Sequence, residues 1–158
     1  MGQQQLLLVI LVTIIVGIAT VVAINTFSTA ADSANLDAVR QDVASIAASA
    51  QGYFMKPGML GGGGQSFAGI TFENITFGAK GVTATGDAAQ NENGRYVITS
   101  ANATTLVITA HPASDPAYVA GTVTDAGVLS GGTAAGEPLT ANVVSNDMNW
   151  GDAPAEPE

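Results

Sequence analysis

One histidine, His111, and no cysteine stand in this chain of 158 residues. Thiolate nucleophiles, thiolate metal sites and disulfides are excluded by that count alone. A lone histidine cannot build a usual imidazole or thiolate metal site. No Ser-His-Asp or paired-carboxylate arrangement surrounds it. Followed by Pro112 at the end of a β-rich run, His111 reads as a solvent-facing loop residue. The loop Gly86–Gly94 gathers oxygen donors in Asp87, Asn91 and Asn93. Hard cations such as calcium take roughly six to eight oxygens, and this spacing is not a recognised calcium loop, so a polar turn is the expected reading. Asn74-Ile75-Thr76 and Asn102-Ala103-Thr104 match the N-glycosylation acceptor pattern. Two matches in a Thr-rich chain are near chance, and Asn102, in an expected hairpin loop, is the better-placed acceptor. Gly61 to Gly64 is not a phosphate loop, because no Lys-Ser or Lys-Thr follows and a helix rather than a strand precedes it. Charged residues make up only 11% of the chain, which leaves little material for catalysis. The expectation is a protein that is not an enzyme and uses neither metal nor cofactor.

That charge fraction is under half of the roughly 25% typical of soluble domains, while 47% of residues are hydrophobic. Such chains carry a membrane segment or an extensive packing interface. The formal net charge of -9 repels phosphate backbones, so nucleic acid is not an expected partner of the lone subunit.

The elements that must carry these residues fall into three textures. Residues 1–31 contain no charged side chain; Asp32 is the first. Leu6 to Ile24 is nearly all Leu, Ile, Val and Ala, interrupted only by Thr13, Gly17 and Thr20. As a helix it would span roughly 28 Å, close to the ~30 Å hydrocarbon core of a bilayer. Residues 32–56 then read as an amphipathic helix. Leu36, Val39, Val43, Ile46, Ala50 and Tyr53 recur at spacings of three and four, forming one apolar stripe, with Asp32, Asp37, Arg40, Gln41 and Asp42 mainly off it. No proline or glycine separates the two segments, so the spacing predicts one helix from about Gln3 to about Phe54. Lys56-Pro57-Gly58 and the glycine run end it, and 57–66 reads as a flexible connector.

Residues 67–150 alternate short β-rich runs with Gly, Asn and Asp turns. Strands are expected at Gly69–Phe77, Gly81–Thr85, Arg95–Ser100, Thr105–Ala110, Tyr118–Thr124, Val128–Leu129 and Leu139–Val144. Tyr96–Thr99 with Leu106–Thr109 reads as one hairpin, and Thr122–Thr124 with Val128–Leu129 as another. Short connections favour an antiparallel sheet. Residues 151–158 read as a frayed acidic tail. The fold class is therefore α+β: a long N-terminal helix, its apolar half free and its second half covering a small antiparallel sheet. A free apolar half-helix must sit in lipid or against copies of itself.

Three other readings of the N-terminus compete. A cleaved secretory signal lacks a basic start, and its apolar run is too long. Myristoylation wants Ser or Thr where Leu6 stands. A plain single-pass anchor competes more seriously. Against it, Thr13, Gly17 and Thr20 lie on one helix face, and small residues there permit close helix approach.

The chain resembles the type IV pilins and pseudopilins. The likeness is carried by Gly2 before Gln3-Gln4-Gln5-Leu6-Leu7-Leu8-Val9-Ile10, by the long N-terminal helix and its Ala-rich continuation ending in Tyr53-Phe54, and by the β-rich runs Gly94–Thr99, Thr105–Ala110 and Gly121–Gly127. It covers most of the chain. It implies cleavage after Gly2 by a prepilin peptidase, which makes Gln3 the new N-terminus. It also implies residence in the inner membrane before assembly, and extraction by an assembly ATPase and its platform. The outcome is a homopolymeric helical filament at the cell surface. Leu6, Leu7, Ile10, Thr13, Ile14, Gly17, Thr20 and Ile24 would pack its core, while Leu36, Val39, Val43, Ile46 and Tyr53 would hold the sheet. The family's usual glutamate at the fifth mature position is here Leu7. The ending Asn146–Trp150 is similar to that of calcium-binding secretion pseudopilins, so a pseudopilin or minor pilin is the alternative, followed by a surface β-domain that never polymerises.

Overall fold

The computed structural model describes residues 2–134, 138–145 and 147–151. One helix, α1 (Gly2–Met55), opens the chain. Among the described residues ten strands follow: β1 (Gly81–Thr83), β2 (Ala88–Gln90), β3 (Gly94–Ala101), β4 (Thr105–Pro112), β5 (Tyr118–Val119), β6 (Thr122–Val123), β7 (Val128–Ser130), β8 (Thr133–Ala134), β9 (Leu139–Val144) and β10 (Asp147–Trp150). The chain divides into two units, residues 1–34 and 35–158. The division falls just after the compositional break at Asp32. Asn146 and the acidic tail from Asp152 lie outside the described residues.

In the first unit every described residue of α1 is exposed. Nothing interrupts its backbone, since its composition is rich in Leu, Ile, Val and Ala, and Gly17 is too isolated to break a helix.

The second unit contains Asn35–Met55 of α1 and all of the strands. Eight strands form one sheet in the order β10-β9-β4-β3-β2-β1-β7-β6, and β5 pairs with β8 in a separate ribbon. All pairings are antiparallel except β1 with β7. Alternation on the central strands sets the core face. Leu106, Ile108 and Ala110 of β4 are buried beside Tyr96 of β3 and Ala141 and Val143 of β9. Cross-strand register places Tyr96 opposite Ala110, Ile108 opposite Ala141 and Leu106 opposite Val143. Val39, Val43, Ile46, Ala47 and Ala50 of the helix complete this cluster. Val39, Val43 and Ile46 are fully buried, so each contributes about 1.5–3 kcal/mol of hydrophobic stabilisation.

Several expectations need correction. Gly69–Phe77 is not a strand. Ile70 and Phe72 alternate like one, but turns closed by Ile70 N–H to the Phe67 carbonyl and Asn74 N–H to the Thr71 carbonyl fold the segment into a covering loop. Its Phe67, Ile70, Phe72 and Ile75 still enter the core. Tyr118–Thr124 divides into β5 and β6, which join different sheets. Within Gly86–Gly94, expected as a polar turn, lies a strand, β2, and Asp147–Trp150 forms the edge strand β10. Tyr53 packs half-buried against this core, and Leu36, at the other end of the apolar stripe, is half-buried.

The connector is not a loose tether. Gly63 N–H donates to the Tyr53 carbonyl, Gly64 N–H to Lys56 and Gln65 N–H to Phe54, at 2.8, 3.0 and 2.9 Å. These donors satisfy carbonyls that a helix end otherwise leaves unpaired. Gly61 takes the left-handed conformation at φ 76°. A Cβ at Gly63 would collide with the Ser66 carbonyl and the Tyr53 ring. The glycine run is thus a fitted C-cap, which flexibility arguments from composition could not reveal.

Candidate assembly surface

Helical spacing puts Leu6, Ile10, Thr13, Gly17, Thr20 and Ile24 on one stripe, with Leu7 and Ile14 beside it. All of them are exposed. Among the described residues, α1 is the one helix long and apolar enough to cross a membrane, and its most apolar window buries nothing inside the chain.

Five of its hydroxyls bond back to their own helix. Thr13 Oγ1 donates to the Ile10 carbonyl and Thr20 Oγ1 to the Val16 carbonyl, both at 2.8 Å. Thr26, Thr29 and Ser33 bond back to Val22, Asn25 and Thr29 in the same way. Hydroxyls satisfied by their own helix can enter lipid or a helix–helix interface without stranding a donor. A Cβ added at Gly17 would meet nothing within 4 Å, and the same holds at Gly2. Neither glycine is therefore required by contacts inside the lone chain. Gly2 and Gln3 lie in the exposed first turn.

The second unit holds its helix by a polar clasp as well as by packing. Asp42 Oδ2 accepts hydrogen bonds from Asn91 Nδ2 at 2.7 Å, Asn93 Nδ2 at 2.8 Å and the Tyr96 hydroxyl at 2.6 Å. Burial works to raise the Asp42 pKa, but the bonds from Asn93, Tyr96 and Asn91 outweigh it and hold the carboxyl below its ordinary value. Burial, reinforced by Asp42, pushes the Tyr96 phenol well up, so it stays a neutral donor. Asn35 adds a second tie: its Nδ2 donates to the Asn93 carbonyl and its Oδ1 accepts from Ser114 N–H. The spacing puts Asp42 mainly off the apolar stripe, yet it is half-buried and ties the helix to the sheet region.

The calcium candidates separate. Asn91 and Asn93 serve Asp42, whereas Asp87 Oδ1 accepts from Thr83 and Thr85 Oγ1, which lower its pKa against a smaller burial effect. Among the described residues no group of three or more His, Cys, Asp or Glu side chains could hold a metal ion. A half-open cleft of about 390 Å³ borders Lys80, Gln90, Asn91, Glu92 and Tyr118. Its amides are committed to internal bonds, Gln90 with Gly121 and Asn91 with Asp42, and Lys80 pairs with Glu92 at 3.0 Å. His111 is not a loop residue. It lies on β4 opposite Arg95 and is buried, with Nδ1 unpaired. Asn102 sits exposed in the β3–β4 hairpin turn, and Asn74 is exposed in the covering loop.

No protein-family model, curated protein or solved structure matches this chain. The architecture itself is pilin-like: a long N-terminal helix, apolar and exposed in its first part, whose second part packs on a mostly antiparallel sheet.

Proposed function

We propose that this chain is the structural subunit of an extracellular, type IV pilus-like filament, and that it polymerises through residues 2–31. The observation that carries the reading is the exposure of an uncharged, membrane-length helical stretch joined to a folded domain that does not use it. Before assembly the stretch resides in the inner membrane. During assembly its apolar surface passes from lipid to neighbouring helices, so water never has to solvate it. A prepilin peptidase acting at Gly2-Gln3 and an ATPase-driven platform are the partners this route calls for. Close packing of Thr13, Gly17 and Thr20 against neighbours supplies the contact that lipid alone does not drive.

Electron microscopy of sheared surface material, with immunodetection of this chain, tests the reading. Filaments containing the chain are expected. A chain that stays wholly in the membrane fraction would leave a single-pass anchor instead, and short periplasmic assemblies would favour a pseudopilin. Gly17→Leu sharpens the choice. Because a side chain there meets nothing within the subunit, filament yield should fall while membrane insertion persists. Equal loss of both would argue for the anchor.

A further inference from the structure

The loop that follows α1 exposes a second apolar surface. Met59 is 99% exposed, Met55 68% and Leu60 67%. The backbone beneath them is braced. Leu60 and Gly62 N–H donate to the Pro57 carbonyl and Gly61 N–H to Gly58, beside the three bonds that tie Gly63, Gly64 and Gln65 to the helix end. Gly62 and Gly63 lie too close to Lys56 and Ser66 for any side chain to intervene. Holding an apolar side chain in water on an ordered backbone lowers the ordering cost of a later contact. Methionine, unbranched and polarisable, adapts its shape to whatever it meets.

What covers this knob can be argued from charge. The bilayer that would take Leu6–Ile24 is not the candidate, because Asp32, Asp37, Arg40 and Asp42 intervene along α1 and Lys56 adjoins the knob. A charged partner surface would lose hydration against Met55, Met59 and Leu60, whose side chains offer it no pairing. The chain itself supplies a surface with no such cost: residues 2–31, uncharged and exposed wherever described. Resting on the filament reading, we propose that the knob formed by Met55, Met59 and Leu60 seats against the N-terminal helical stretch, residues 2–31, of a neighbouring copy. The contact is heterologous, one patch meeting a different patch, and such contacts repeat into helical polymers rather than closing as symmetric dimers. The same apolar stretch then packs with other copies of itself and also receives the knob.

Because the chain has no cysteine, disulfide trapping reads this contact without background. Met59→Cys is combined in turn with a cysteine at each position from Leu6 to Ile24, and with Thr99→Cys on the exposed sheet as a control. Sheared filaments are oxidised and resolved without reductant. A ladder of covalent multimers is expected from a contiguous helical subset of the pairings. It should be absent from the Thr99 pairing and from the unassembled membrane pool. Filaments that form but trap at none of the helix positions, or only through Thr99, overturn the contact and leave the filament reading standing. Absence of filaments from the unsubstituted chain overturns the filament reading instead. Independently, Met59→Asp should cut filament yield roughly tenfold or more, with Met59→Leu near the unsubstituted level. Both variants should melt like the parent, since Met59 is almost fully exposed. An undiminished yield with Met59→Asp overturns the proposal.

Discussion

The two parts of α1 are built from similar residues and meet opposite fates. Residues 2–34 display Leu, Ile, Val and Ala on every side and bury none of them within the chain, whereas Asn35–Met55 turns one apolar face inward and buries Val39, Val43 and Ile46 completely. Helix propensity does not explain the difference, since both parts are helical although the first is rich in β-branched Ile and Val, weaker helix formers in water. Charge does: the first part ends where Asp32 appears. An apolar residue on the buried face of the second part stabilises a domain. One in the first part contributes nothing to that domain and must act outside it. Matched substitutions should therefore have uncoupled effects, and coupling would break the comparison.

Val43→Asp is the largest. A carboxylate placed at a fully buried position with no partner should destabilise the domain by about 4 kcal/mol or more, enough to unfold a domain of ordinary stability. Val16→Asp should leave thermal melting of the sheet unchanged but oppose membrane insertion by about 2.5–3.5 kcal/mol. Circular dichroism melts in detergent, together with a membrane-partition assay, separate the two. A lowered melting temperature for Val16→Asp would show that the first part supports the domain after all. Ile46→Ala against Ile14→Ala repeats the contrast more gently. The first should cost about 2–5 kcal/mol by cavity formation, the second under about 0.5 kcal/mol of domain stability, both read from denaturant titrations.

How much of this was legible beforehand follows the same division. The helix, its change of character at Asp32 and the β3–β4 hairpin were readable because periodicity and charge are local. Residues 69–77 were misread because alternation at Ile70 and Phe72 mimics a strand, while the turns that fold the segment depend on what covers it. β2 was hidden because Ala88-Ala89-Gln90 is too short and too small to register as β-rich, and it exists only through its neighbours on both sides. The clasp on Asp42 joins residues about fifty positions apart, a distance no spacing argument reaches. The exposed apolar stretch of α1 was the most legible feature, since it owes nothing to tertiary contacts.

Asp42→Ala comes next in size. It would leave the fully buried Tyr96 without its acceptor and strand two amides, at a cost of about 2–3 kcal/mol. The sign of its pH dependence is fixed. Asp42 titrates lower folded than unfolded, so its stabilising effect is complete above its ordinary value of 3.8 and is lost as pH falls through the depressed folded value. Acid titration of stability should show a loss beginning near pH 4 in the parent that is smaller in Asp42→Asn, where Asp87, also held below its ordinary value, still contributes. A parent and variant with the same acid profile would mean that the clasp does not hold the helix.

The smallest effect belongs to His111, and it tests the comparison from the other side. Burial lowers its pKa, Asp115 opposes that shift and Arg95 adds to it. Above its ordinary value of 6.5 the imidazole is neutral in both folded and unfolded chains, and domain stability is at its full level. As pH falls below that value the unfolded chain takes up the proton first, so stability declines until the folded value is passed. A shallow fall in melting temperature between about pH 7 and pH 5 is therefore expected, and His111→Gln should flatten it. Membrane partition through residues 2–31 should not respond over the same interval, because that stretch carries no titratable side chain. If partition shifts in parallel with domain stability, the two parts of α1 are energetically linked, and the apolar stretch can no longer be treated as a surface reserved for other molecules.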